Sequence, residues 1–138
     1  PFAFLVTELV NRAFGPAQAR RVAWFGFAVA VAASAFLAPV RIAAASGLAF
    51  LLSQMLDITV FDRLRQSRWW RAPLVATVLA AILDTCVFWG VGFAGEDLPW
   101  VTWALGDLGV KLVMAVCLLL PFRLLIGKRA TTNALPPA

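Results

Sequence analysis

The chain has 138 residues, 62% of them hydrophobic and 14% charged, with a net charge of +5 and a mean hydropathy of +0.87. Soluble domains run at roughly 45–50% and about 25%, so a soluble core of this size is excluded. There is no His, and Cys86 and Cys117 each sit in an apolar run without metal-ligand spacing, which excludes zinc-type sites, a disulfide framework and His-based acid–base chemistry.

The apolar residues lie in runs of about 20, the length a helix needs to cross about 30 Å of hydrocarbon. Five segments follow in chain order, forming one transmembrane domain over 1–127 with a cytoplasmic tail at 128–138. The first, 1–14, opens at Pro1 inside an apolar run and ends at Gly15-Pro16, a glycine that suits a helix end before a proline that rarely continues one. It reads as a helix cut short at its start. The second, 22–40, is ended by Pro39, which forces a tight reversal into the third, 42–61. The fourth, 72–93, carries Pro73 in its first turn, and the fifth, 101–126, follows Pro99 and contains Pro121, where a kink is expected.

A net positive charge suits nucleic acid or membrane topology, and its distribution favours topology. Arg12 ends the first segment and Arg20 and Arg21 follow it; Arg63, Arg65, Arg68 and Arg71 follow the third; Arg123, Lys128 and Arg129 end the fifth. The other two connections carry Arg41, and Glu96 with Asp97. Basic and non-basic connections alternate, as five crossings require, so the basic loops and the C-terminus are expected in the cytoplasm. Trp69 and Trp70 on the inner side and Trp100 and Trp103 on the outer fit two aromatic belts. Lipid is the expected partner of the arginines, and nucleic acid is not.

The residues a bilayer should exclude carry the functional information. Asp84 lies near the middle of the fourth segment and Lys111 near the middle of the antiparallel fifth, so they can meet at one depth; Asp107, one turn from Lys111, makes a triad. These charges either lock helices together or serve a substrate or proton. Ser46, Ser53 and Asp57 fall within about 20° of one line on the third helix, flanked by Gln54, with Ala43 and Gly47 permitting close approach. Glu8 and Asn11 share a face of the first, with Glu8–Arg12 pairing as the plain alternative. Phe50, Phe61, Phe88 and Trp89 complete a polar, aromatic ring suited to a flat heterocycle. No nucleophile–base motif or phosphate loop is present, so a transporter is favoured over an enzyme, with no cofactor or metal.

Several of these blocks resemble the YhhQ family of vitamin-uptake-type membrane proteins: TELVNRAFG at 7–15, ARR at 19–21, RIAAASGLAF at 41–50, SQMLDITVFDRLRQSRWW at 53–70, LDT at 83–85 and GDLGVKLVM around Lys111. The resemblance implies an all-α bundle of six helices, five of them spans in this chain, similar to the substrate-capture subunits of energy-coupling-factor transporters. The first helix of that pattern is missing and the connection at Pro39 is shorter than in some members. It also implies import of a queuosine precursor, chiefly the deazapurine 7-cyano-7-deazaguanine, across the cell inner membrane. Glu8, Asn11, Arg41, Ser46, Gln54, Asp57, Asp84 and Lys111 are then the substrate-binding candidates, with Glu8 and Asp84 gripping the guanine-like edge and Gln54 and Asn11 reading the lactam oxygen and ring nitrogen. Self-association and a partner ATPase are left open.

Overall fold

The computed structural model describes residues 1–132, with side chains through Gly127. Its five helices are α1 (Phe2–Phe14), α2 (Pro16–Leu37), α3 (Val40–Leu64), α4 (Arg71–Phe93) and α5 (Trp100–Thr132), and no strand occurs among the described residues. This is the expected all-α membrane bundle. Helices α2 to α5 are long and apolar enough to cross a membrane. Helix α1, at 13 residues, is shorter than the roughly 20 that a span needs.

The helix ends follow local chemistry. Gly15 takes a φ of 90°, open to glycine at little cost, which ends α1 and turns the chain. Pro16 then fills the first position of α2, where its missing N–H costs nothing. As a result α2 starts six residues ahead of the expected 22, and Arg20 and Arg21 lie in its early turns rather than in a loop. Ala38 is extended because it precedes Pro39, and Pro39 caps α3. Helix α5 continues through Pro121 and takes in 128–132 of the expected tail; 133–138 lie outside the described residues.

Helices α2, α3, α4 and α5 pack in chain order as a row, and α1 touches all four. The α3–α4 pair is the centre. Its faces carry Ala45, Ala49, Ala72, Ala76, Ala80 and Ala81, all buried, so the backbones approach closely and dispersion rather than side-chain bulk holds them. Large apolar side chains point outward instead, as with Phe25, Phe36 and Leu105, while Glu8, Asn11, Gln54 and Asp57 are buried. That inside-out pattern is stable only with hydrocarbon outside.

Arginines tie both ends. At the arginine-rich end Arg65 Nη2 donates to the carbonyls of Asn11 (3.3 Å) and Arg12 (3.5 Å), and Arg12 Nη1 donates to the Arg65 carbonyl, so each guanidinium caps the other chain segment. Phe61 and Phe122 pack edge-on at 5.9 Å nearby, and Arg123 lies 4.9 Å over the Trp69 ring. At the opposite end Arg41 donates to Val91 O (3.1 Å) and Ala94 O (2.7 Å) and pairs with Glu96 at 2.8 Å. An ion pair this exposed is worth well under 1 kcal/mol, so the two carbonyl bonds at the α4 C-terminus carry most of the tie. Arg41→Ala is expected to cost about 1 kcal/mol in thermal melts and Glu96→Ala distinctly less. Equal losses would assign the effect to the ion pair.

Candidate functional site

Asp84 is near the midpoint of α4, and the short 94–99 connection sends α5 back alongside it, so Asp84, Lys111 and Asp107 converge as the spacing predicts. Lys111 Nζ donates to Asp84 Oδ2 at 2.7 Å, to Asp107 Oδ2, and to Thr85 Oγ1 at 3.2 Å. Asp107 Oδ2 also accepts from Thr85 Oγ1 (3.3 Å) and Trp89 Nε1 (3.2 Å). The Ser53 hydroxyl lies 3.1 Å from Phe50 O and 3.4 Å from Asp84 Oδ1, and its single hydrogen can serve either acceptor. One ammonium therefore serves two carboxylates.

The triad borders a cavity of about 320 Å³ lined by Ser46, Ala49, Phe50, Asp84, Phe88, Trp89, Asp107 and Lys111. That volume is in the range of small-molecule sites. Its polar groups are ionic, its walls aromatic, and Trp89 is steadied by rings of Phe88 (5.4 Å), Phe93 (4.9 Å) and Trp103 (6.2 Å). Phe61, expected among these aromatics, packs instead on Phe122 in the core at the arginine-rich end, because it lies two full turns beyond Ser53 along α3. A larger groove of about 430 Å³ between α2 and α3 is lined by apolar side chains alone, from Phe27 to Leu51, and offers a polar ligand nothing.

The remaining candidates divide. Ser46 lines the cavity. Glu8, Asn11, Gln54 and Asp57 form a separate, closed cluster between α1 and α3: Thr7 Oγ1 lies 3.0 Å from Gln54 Oε1, Asn11 Nδ2 donates to Ile58 O at 3.0 Å, and Glu8 Oε1 accepts from Thr77 of α4 at 2.8 Å. Glu8 therefore pairs with a threonine and not with Arg12, which is engaged at Arg65. Arg41 stands with neither group, at the Glu96 end. The stripe on α3 is thus divided, Ser46 at the cavity and Asp57 in the closed cluster, with Ser53 between.

Thr7, Thr77 and Thr85 were not singled out, although each makes a side-chain contact in one of the two groups. Thr77 and Asp84 stand at i, i+7, the same-face spacing that marked α3, which is the signal that would have found Thr77. Threonine satisfies its hydroxyl on its own helix as easily as on a neighbour, so the spacing alone has no direction.

An outward-apolar helical bundle with an ion triad and an aromatic-walled cavity at mid-span is a polytopic membrane protein. The chain belongs to the family described as "Putative vitamin uptake transporter", which it matches over residues 1–126. It is 35% identical to the "Queuosine precursor transporter" of Escherichia coli (strain K12), an alignment covering 88% of this chain and 66% of the relative. It is 33% identical to the "Probable queuosine precursor transporter" of Haemophilus influenzae, over 88% of the chain and 63% of the relative, and 27% identical to that of Bacillus subtilis (strain 168), over 67% and 52%. The chain thus spans just under two thirds of the length of the first two relatives, and about half of the third. No solved structure matches it. The family and these relatives are named as transporters, not enzymes.

Proposed function

We propose that the protein carries a queuosine precursor, 7-cyano-7-deazaguanine, inward across the cell inner membrane, in a bundle of the energy-coupling-factor capture type. The cavity between α3, α4 and α5 is the binding site. The observation that carries this reading is the meeting of carboxylate, ammonium and aromatic faces around one cavity of about 320 Å³. A deazaguanine is flat, uncharged and polar at its edge. Its N1–H and amino N–H match the two oxygens of Asp84, its lactam oxygen matches the Lys111 ammonium, and its faces match Phe50, Phe88 and Trp89. The names of the relatives support the same substrate class.

Vesicles holding this protein as their sole transporter are expected to take up labelled 7-cyano-7-deazaguanine, with competition by the unlabelled compound. Uptake no greater than in protein-free vesicles would overturn the assignment. Charge gives the orientation, since the connection at 65–70 and the helix ends beside it hold arginines and the one at 94–99 the acids. In a background without Cys86 and Cys117, a cysteine replacing Ser67 is expected to react only from the cytoplasm and one replacing Glu96 only from outside. Labelling of both from one side would reject the crossing of α4.

A further inference from the structure

The closed cluster between α1 and α3 takes no part in the cavity, and its hydrogen bonds do not balance. Asn11 Nδ2 is fixed on Ile58 O, so Asn11 Oδ1 faces the cluster, where it meets no donor. Both oxygens of Asp57, a residue 0% exposed, also lack a donor, and Gln54 Nε2 lacks an acceptor. Three acceptor atoms thus stand against one free amide group. Turning the Gln54 amide over adds another acceptor to the surplus. Thr7 lies beside Asp57 but has one hydroxyl hydrogen, with Gln54 Oε1, Ala3 O and Phe4 O all within 3.1 Å of its oxygen. The cluster is short of hydrogens.

It is short of positive charge as well. Glu8 is 3% exposed, and the Asp57 carboxylate acts on it directly. On α1, Arg12 is engaged at Arg65 O. On α3, Arg65 pairs with Asp62 and caps α1. Helix α4 brings Thr77 and, two turns on, Asp84; on α5 Lys111 is held by Asp84 and Asp107; Arg20 and Arg21 of α2 are exposed. Two ionised carboxylates without a paired cation are costly at this depth. One acid O–H removes a charge and supplies the missing hydrogen.

We infer that Asp57 and Glu8 form a proton-binding site of the carrier, separate from the ligand cavity and linked to it through Ser53; this rests on the carrier reading above. Loading forms an O–H bond on an Asp57 carboxylate oxygen with a proton taken from water, and release breaks that bond and returns the proton to water. A hollow of about 10 Å³ beside Glu8 and Thr77 has room for about one water. Ser53, next to Gln54 on α3, has its hydroxyl 3.4 Å from Asp84 Oδ1, so a change in how α3 seats on α1 reaches the cavity wall.

Infrared spectra of the purified protein in lipid are expected to contain, at neutral pH, the carbonyl stretch of a protonated carboxylic acid, lost in Asp57→Asn and altered in Glu8→Gln. Asparagine keeps the shape and brings hydrogens, so Asp57→Asn is expected to melt no lower than wild type. A wild-type spectrum without this band, or a band that both variants leave unchanged, would overturn the site. In vesicles, an inward gradient of one pH unit is expected to raise steady accumulation of 7-cyano-7-deazaguanine by up to about tenfold for one proton per ligand. In Asp57→Asn the ratio with and without the gradient should fall to one. Wild-type uptake indifferent to the gradient rejects proton coupling while the carrier reading stands. If no deazapurine enters, the carrier reading fails and the infrared result alone decides the proton site.

Discussion

Replacing Lys111 with methionine is expected to destabilise the protein more than any other single change in the triad, by about 3 kcal/mol. The side chains of Lys111, Asp84 and Asp107 keep 15%, 22% and 31% of their exposure, which places the cost at the lower end for a broken buried pair. The physical reason is arithmetic of charge. With Lys111 present the triad carries a net single negative charge; without it two carboxylates face each other with no cation between them. Asp84→Ala is milder, since it leaves a neutral Lys111–Asp107 pair, and Asp84→Asn milder again, since the amide still meets Ser53 and Lys111. Thermal melts in detergent should therefore rank wild type, Asp84→Asn, Asp84→Ala and Lys111→Met in falling order, with partial recovery in the Asp84→Asn, Lys111→Met double variant. A Lys111→Met protein that melts with wild type would mean that the carboxylates are solvated and the triad is not a structural unit.

The second large effect is on ligand affinity. Asp84→Asn replaces an acceptor oxygen with a donor facing the N–H groups of the guanine-like edge, and an unmet buried polar contact costs about 1–3 kcal/mol, so affinity for 7-cyano-7-deazaguanine should fall about tenfold or more. Trp89→Ala should give a similar loss by a different route, since stacking on an aromatic is worth about 1–3 kcal/mol per base. The two can be told apart. A deazapurine lacking the exocyclic amino group should bind wild type weakly and discriminate little between wild type and Asp84→Asn, while it should remain fully sensitive to Trp89→Ala. Calorimetric titration of both ligands against both variants completes the cycle. Tenfold sensitivity of the amino-free ligand to Asp84→Asn would show that Asp84 acts through Lys111 and not on the base.

The helices were legible in the sequence because their punctuation is covalent: Gly15-Pro16, Pro39, Pro73 and Pro99 act through φ and the absent N–H, whatever surrounds them. The start of the second helix was placed too late because it was set where the apolar run begins, with Arg20 and Arg21 read as loop residues, although an arginine stem can lie along a helix and keep its head exposed. The triad was legible because an ammonium and two carboxylates in apolar runs have few places to go but to each other. Glu8, Asn11, Gln54 and Asp57 were assigned to the same ring as the triad and lie outside it, whereas Ser46 does line the cavity. Helical spacing gives the face of a residue and its height on its own helix, but not the height at which a neighbouring helix crosses. Asn11 meets Ile58 and Thr7 meets Gln54 because α1 packs against the arginine-rich half of α3, an offset that no local pattern encodes.

Among the described residues, helix α1 is the shortest element and the one in contact with every other helix. The chain is therefore unequally tolerant of changes in length. One extra residue in the middle of α1 swings everything after it by about 100°. Asn11 leaves Ile58, the carbonyls that Arg65 caps turn away, and all four neighbours lose their register together. The same insertion near the C-terminal end of α2, which touches α1 and α3 only, slides an apolar surface past an apolar surface. Indels in this family should accumulate in α2 and its following turn long before they are found in α1.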